Sequence, residues 1–517
     1  MESSGLLLLL SGVLASSAIL LHLFRDPLGH VPGPRIARWT SLWLQFLDFS
    51  GYRSLVIHDL HARYGPVVRI APNELSFSSK RALREIYSPN SDYTKAPRYA
   101  AFGRKSLFTM LDKQEHRLRA KRISPVFGPS MLGTVEGIVS AQIEKLVHIL
   151  ESHTDQSIDA MLWFRMLTLD TFGDMFLGTN FGGLDNKRPP EILEDLDNVF
   201  PTYWIEWQFP WLFHILCMVP YRPLHQFITT GGRFYKKGAQ AFNQYIQLYG
   251  RDGERRDLLQ RMIAASTEKK IAAPLTDEEI VVELTNLIFA GTDTTGNTFS
   301  YMFWELARNP TWQARLRKEL QEVSWNGVVP EYKTVAQLPI LEAIIQETLR
   351  LWPAAPASLP RIASAQGGVI DGTTIPPHVS ALSRLEAFAR ETWALMYVLC
   401  NQTLVSCQSL TIQRDPEVFP SPEYFRPERW LAEDEAGKSL QSDLDTMRDS
   451  MLVWGKGSRT CLGKSIAMME LKLGLAAIIR RLSPQLASEK TNEDMEMRDH
   501  FVLIAKGGRC LLRYEKA

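Results

Sequence analysis

Cysteine is scarce in this chain: Cys217, Cys400, Cys407, Cys461 and Cys510 are the five in 517 residues, too few and too scattered for a disulfide framework. No CxxC and no HExxH occurs, which excludes the commonest zinc sites. There is no GxGxxG, so no dinucleotide-binding fold is built in. Net charge is nearly absent, 58 Lys+Arg against 57 Asp+Glu, so the electrostatic footprint of a nucleic-acid binder is missing. The interior carries no Pro/Gly/Ser-rich linker, no internal repeat and no low-complexity tract. At 45% hydrophobic and 22% charged, the composition excludes disorder, collagen and a coiled-coil rod. The length suggests about three domains, but the missing linkers leave a single large helical domain open.

The one long hydrophobic run lies at the start. Gly5 to Phe24 contains no Lys, Arg, Asp or Glu, and twenty residues at 1.5 Å each span about 30 Å, a bilayer core. A signal peptide is the alternative, but its charged leading region is missing and Arg25 follows the run instead. Positive charge after the span favours a cytosolic body. The expected organisation is therefore a single-pass anchor over residues 1–26 and a catalytic body over 27–517. Phe200 to Tyr221 is rich in aromatics, with Trp204, Trp207, Trp211 and Phe213. It is read either as core or as a surface dipping into a membrane interface.

Two motifs break local rules. Thr276 to Asn309 has the pattern of one long helix, opened by a capping box at Thr276 and Glu279 and closed by Pro310. Its middle, Ala290-Gly291-Thr292-Asp293-Thr294-Thr295-Gly296, puts glycines and β-branched residues where helix formers belong. Such a break marks either a polar kink filled by water, the better reading of this motif alone, or a functional site, in which small residues admit something close to the backbone while Asp293 and Thr294 supply a carboxyl and a relaying hydroxyl. The second motif runs from Trp454 to Gly463 and sets Cys461 in a glycine-flanked loop ahead of an apolar helix at about 464–482. A helix N-terminus with Lys456, Arg459 and Lys464 nearby favours a thiolate, which is a nucleophile or a metal ligand. The spacing before Lys464-Ser465 does not fit a P-loop. An iron ligand beneath a planar macrocycle suits both the tight loop and the small-residue helix. Glu347 and Arg350, at i and i+3, and Arg429 in a proline-broken loop look like scaffold ion pairs or surface pairs.

Together and in this order, these motifs resemble the cytochrome P-450 family of haem-thiolate monooxygenases, most closely the membrane-bound fungal type. The cysteine loop meets FxxGxRxCxG except that Trp454 stands for Phe; Ala290, Gly291, Asp293 and Thr294 meet AGxDT; Glu347 and Arg350 meet ExxR. The resemblance implies a mainly α fold with small β-sheets, preceded by one transmembrane helix. It implies haem b with Cys461 as axial iron ligand, and Arg459, Arg361 and His116 as haem-propionate partners. Asp293 and Thr294 take the oxygen-activation and proton-delivery roles, and Glu347, Arg350 and Arg429 form a buried structural triad. It further implies NADPH-derived electrons from a separate reductase, a lipophilic small-molecule substrate of fungal secondary metabolism, and an endoplasmic-reticulum membrane location with the body facing the cytosol. Arg117, Arg119, Lys121, Arg122, Lys456 and Lys464 are the expected basic docking face for an acidic partner. Pocket-lining stretches are expected near Tyr99–Phe108 and Phe200–Phe213.

Two departures stand out. Four residues after His116, where the family places an arginine, the chain has Ala120, and Arg119 or Lys121 is the expected substitute. Residues 381–405 intrude between two segments that the family joins almost directly, as an untrimmed intron or a surface insertion. With Asp293 and Thr294 retained, an oxygen-independent isomerase or dehydratase is the less favoured alternative. A translated insertion leaves a catalytically silent haem protein as another.

Overall fold

Helices carry most of the chain, among them α1 (Leu42–Ser50), α2 (Lys113–Ile123), α3 (Leu132–Ser152), α4 (Ala160–Leu177), α5 (Glu191–Gln208), α6 (Pro210–Met218), α7 (Thr230–Tyr249), α8 (Asp277–Arg308), α9 (Pro339–Leu351) and α10 (Lys464–Arg481), with further helices and turns between them. The computed structural model describes residues 26–251, 253, 255, 257–267, 275–377, 402–432 and 441–517. The apolar run Gly5–Phe24, and with it the expected anchor, lies outside the described residues, among which no helix is long and apolar enough to cross a membrane.

The expected capping box starts α8. Thr276 Oγ1 accepts from the Glu279 amide at 3.2 Å, and Glu279 Oε2 accepts from the Thr276 amide at 2.9 Å. The 32 residues that follow cross the body, a span of about 48 Å at 1.5 Å per residue. Glycines bring two neighbours onto this helix. A Cβ on Gly296 would sit 3.1 Å from Thr168 Oγ1 and 3.2 Å from the Arg165 backbone, so α4 lies directly against α8. A Cβ on Gly474 of α10 would lie 2.7 Å from the Phe299 ring. Phe164 stacks on Phe299 with centroids 5.2 Å apart, filling the seam where α4 and α10 meet α8.

A five-stranded sheet flanks this helical core in the order β1-β2-β5-β4-β3, with β1 (Val67–Ala71), β2 (Glu74–Phe77), β3 (Thr94–Lys95), β4 (Arg361–Ile362) and β5 (Leu404–Cys407). Only β2 and β5 run parallel; Leu75 lies opposite Val405 and Phe77 opposite Cys407. The outcome is the mainly helical architecture with small sheets expected from the resemblance. One boundary needs correction. Leu404 and Val405, counted above within the 381–405 intrusion, belong to a central strand: Val405 and Cys407 share a core with Leu75 and Phe77, while Ser406 and Ser76 alternate with them, so the alternation of apolar and polar side chains fixes the register. Residues 381–401 lie outside the described residues.

The aromatic stretch divides by environment. Phe200 and Tyr203 of α5 pack toward the main core. Helix α6 has no buried residue.

Candidate active site

The Cys461 loop is built by backbone geometry. Gly455 (φ +68°) and Gly457 (φ +66°) take left-handed conformations, and a Cβ on Gly457 would fall 2.2 Å from the Tyr87 carbonyl oxygen. The Cys461 amide donates to the Trp454 carbonyl at 2.8 Å and closes the loop. Its sulfur faces a cavity of about 1110 Å³ whose other wall is Ala290, Gly291, Thr294 and Thr295 of α8. The side chain is thus accessible from the cavity while enclosed elsewhere by protein.

Burial pushes the Cys461 thiol up, opposed by the Gly463 and Lys464 amides and the Lys464 ammonium. The expectation of a thiolate set by helix terminus and nearby cations is therefore corrected: desolvation is the larger effect. A buried thiol with raised pKa is a poor free nucleophile. A metal cation, which deprotonates a coordinating thiol outright, supplies the missing counter-charge.

One side of the cavity is cationic. His116, Arg361 and Arg459 line it, and so does Lys95, which the sequence reading missed. Burial together with neighbouring positive charge lowers all three groups whose shift is resolved: His116 to about 4, Arg459 to about 10, and Lys95 well below its ordinary value. Arg459 Nη1 is buried without a hydrogen-bond partner. Lys95 Nζ donates to the Phe108 carbonyl and lies 4.1 Å from the Tyr99 ring centroid. Burial and mutual repulsion disfavour the charged forms of these groups, and a guanidinium donor is left without a partner; a bound anion relieves both, so the set fits one. A sulfur ligand on one wall, small residues on the other and cations at the side fit haem with its two propionates.

At the departure after His116, Ala120 lines the cavity. Arg119 does not substitute for the missing arginine. It is 6% exposed and donates to Glu279, and to Glu283 Oε1 at 3.2 Å. That pairing also removes Arg119 from the expected docking face, because its charge is neutralised inside the protein. Arg117, Lys121 and Lys464 are exposed.

The expected proton-delivery pair is not on one face. Thr294 lines the cavity, with its hydroxyl donating to the Ala290 carbonyl at 2.6 Å. Asp293 points away, 5% exposed, and accepts from Arg165 Nε at 3.0 Å; Arg165 Nη2 also donates to Asp197 Oδ1 at 2.7 Å. Burial pushes the Asp293 carboxyl up, against the pull of Arg165.

Glu347 is fully buried, which overturns the surface-pair reading. It accepts from Arg350 Nε and Nη2 at 2.8 Å each, from Arg429 Nε at 3.2 Å, from the Arg426 amide at 2.8 Å and from Trp430 Nε1 at 2.9 Å. Arg350 Nη1 continues to the Gln413 carbonyl at 2.9 Å, and Gln413 Oε1 accepts from the Leu452 and Val453 amides, both at 2.9 Å. Those amides immediately precede the cysteine loop. Gln413, invisible as a motif, links the Glu347 cluster to Cys461.

The sequence profile of the family described as Cytochrome P450 matches residues 31–387 and 396–512, passing over 388–395 inside the intrusion. The chain is 30% identical to cytochrome P450 monooxygenase tazI of Aspergillus terreus, over 95% of this chain and 94% of that one. It is 26% identical to cytochrome P450 monooxygenase orf2 of Aspergillus niger over 98% of both chains. With cytochrome P450 monooxygenase gsfF of Penicillium aethiopicum it shares 29% identity over 88% of both. The chain belongs to the cytochrome P450 family: it is a cytochrome P450 monooxygenase, an oxidoreductase of a family that carries haem and takes electrons from a redox partner.

Proposed function

We propose that this enzyme oxidises a lipophilic small molecule, as part of fungal secondary metabolism, with haem b held through Cys461 and electrons drawn from NADPH through a separate reductase. The observation that carries this reading is the Cys461 sulfur facing small residues of α8 across a large cavity with a side of basic residues. In the proposed complex Arg361, Arg459, His116 and Lys95 hold the propionates. When bound, haem supplies the iron at which dioxygen is activated, and an anionic sulfur ligand favours O–O cleavage.

The protein's own part is proton supply and exclusion of water. Asp197, more than half exposed, contacts Arg165, and Arg165 contacts Asp293, so a permanently charged guanidinium fixes the Asp293 carboxyl at the α8 turn that carries Thr294. The Thr294 hydroxyl delivers protons into the cavity after turning from the Ala290 carbonyl. Thr294→Ala is expected to cut product formed per NADPH by about tenfold or more while NADPH oxidation continues, since positioned proton transfer commonly contributes about a hundredfold or more. Unchanged coupling removes this role for Thr294.

The proposed location is the endoplasmic-reticulum membrane, with residues 1–26 as anchor and 27–517 facing the cytosol. Exposed apolar side chains support it. Leu42, Phe46 and Phe49 of α1 and Trp211, Ile215 and Met218 of α6 are exposed, Phe46 at 68% and Met218 at 73%. Phe49 contacts Trp204 of α5, and Trp204 contacts Phe209 just ahead of α6, with centroids 5.7 Å apart in both pairs, so a line of rings runs from α1 to the start of α6. Such an apolar surface suits insertion into a lipid interface. A chain starting at residue 27 is expected to retain vesicle binding, and Phe46→Asp with Trp211→Glu to weaken it by about tenfold or more, from roughly 1.5–3 kcal/mol per buried large side chain. Equal partition of both chains removes α1 and α6 from the membrane face.

A further inference from the structure

We infer that Tyr203 determines substrate specificity, its hydroxyl donating a hydrogen bond to an acceptor oxygen carried by the substrate at the end remote from the reacting carbon. This deepens the monooxygenase reading above and rests on it.

Around Tyr203 the cavity is strongly apolar. Phe102, Phe108, Phe200 and Phe501 contact one another, and Phe289 joins through Phe200 with centroids 4.2 Å apart. All five line the cavity. A substrate seated there gains binding from ring and methylene burial, with little direction from that wall.

Tyr203 differs from the phenylalanines. It projects from α5 between two glycines on opposite walls: a Cβ on Gly103 would lie 3.0 Å from its hydroxyl and ring, and a Cβ on Gly231 of α7 would lie 2.6 Å from its ring. Tyr203, Gly103 and Gly231 all line the cavity, and the lining continues to Arg104, Glu206 and Lys236, which are exposed. The ring therefore stands between the apolar interior and a charged rim. Among the described residues its hydroxyl has no hydrogen-bond partner. Burial pushes the phenol up to about 12, so it stays neutral and keeps a proton to donate. Arg104, the nearest cation, is committed elsewhere: it bonds Glu278 at 2.9 Å and lies 4.0 Å from the Tyr235 ring centroid. A phenol donor wedged between two glycine backbones, with the phenylalanine wall on its inner side and the charged rim on its outer side, discriminates for an acceptor, because an apolar end seated against it gives the hydroxyl no partner. The substrate class that fits is a largely apolar, ring-containing or long-chain molecule with one carbonyl or ether oxygen at its trailing end.

The test uses the haem-loaded full chain and two matched probe series, 1-alkylimidazoles of increasing length and the same chains ending in a methyl ester. The imidazole nitrogen anchors each probe at the haem iron, and the visible spectrum reports its Kd. In the wild type, at the length where the ester reaches Tyr203, the ester is expected to bind about tenfold tighter than the plain chain, the worth of one net hydrogen bond. Tyr203→Phe is expected to abolish that ratio and leave the alkyl Kd within about twofold. Gly231→Ala, which displaces the ring, is expected to abolish the ratio as well. An ester-to-alkyl ratio that is the same in wild type and Tyr203→Phe at every length overturns the inference while leaving the monooxygenase reading intact. Failure of every imidazole to shift the wild-type spectrum overturns the haem reading itself.

Discussion

Cys461→His is expected to abolish the strongly red-shifted Soret band of the reduced, carbon-monoxide-bound protein and to remove monooxygenase activity. The Cys461 sulfur sits in a loop whose shape is set by two left-handed glycines and by the Cys461–Trp454 backbone hydrogen bond of 2.8 Å. None of these elements needs the thiol, so the loop survives the substitution and only the donor atom changes. A neutral imidazole returns less electron density to iron than an anionic sulfur, and the ligand sets the haem's optical and redox character. Activity is expected to fall by about a hundredfold or more, because the interaction lost bears directly on bond cleavage. The spectrum of the reduced carbon-monoxide complex is the decisive measurement. A variant that keeps the wild-type band, or a wild type whose band is unshifted, removes Cys461 as the ligand.

What the sequence made legible was local chemistry with a fixed spacing. The capping box at Thr276 and Glu279 depends on two residues three apart, and it forms. The glycine-bounded cysteine loop depends on backbone conformations that glycine permits, and both glycines adopt them. The mainly helical body follows from long stretches of 3.6 period. Long-range partnership was not legible. Lys95 enters the cationic side of the cavity because β3 pairs with β4, which sets Lys95 opposite Arg361 across 266 residues of chain. Gln413 has an unremarkable sequence context, yet its side chain joins the Arg350 backbone to the segment before the cysteine loop. Spacing predicted Arg119 as a docking or propionate cation, but its two glutamate partners come from α8 and cancel it. Asp293 and Thr294 are adjacent in sequence, and adjacency on a helix separates side chains by about 100°; one therefore faces the cavity and the other faces Arg165. The thiol of Cys461 shows the same limit: nearby cations are readable in sequence, but the burial that outweighs them is a property of the folded body.

Glu347→Ala is expected to cost about 3–5 kcal/mol, a large share of the roughly 5–15 kcal/mol that stabilises a typical protein. The carboxylate is fully buried and accepts five hydrogen bonds, two of them as a fork from Arg350. Removing it leaves Arg350 and Arg429, 0% and 8% exposed, as buried cations with no counter-charge. Their remaining partners are backbone carbonyls of Gln413, Tyr424, Pro420 and Ser421, which satisfy donors but not charge. The damage is expected to travel, because Arg350 holds the Gln413 carbonyl and Gln413 Oε1 fixes the Leu452 and Val453 amides ahead of the cysteine loop. Loss of haem is therefore expected to accompany loss of stability, both read on one sample by the Soret absorbance during thermal unfolding. Glu347→Gln keeps the shape and one acceptor oxygen but loses the charge and sets an NH2 against N–H donors, and an intermediate fall in Tm is expected. Gln413→Leu leaves the ion cluster paired and cuts the link to the loop. It is expected to lower haem occupancy more than its effect on global stability explains, since the two amides at 452 and 453 are left without their acceptor. A Glu347→Ala protein that unfolds at the wild-type temperature with full haem removes the cluster from both roles. A Gln413→Leu protein with wild-type haem occupancy confines the cluster to stability and leaves the cysteine loop to its own glycines.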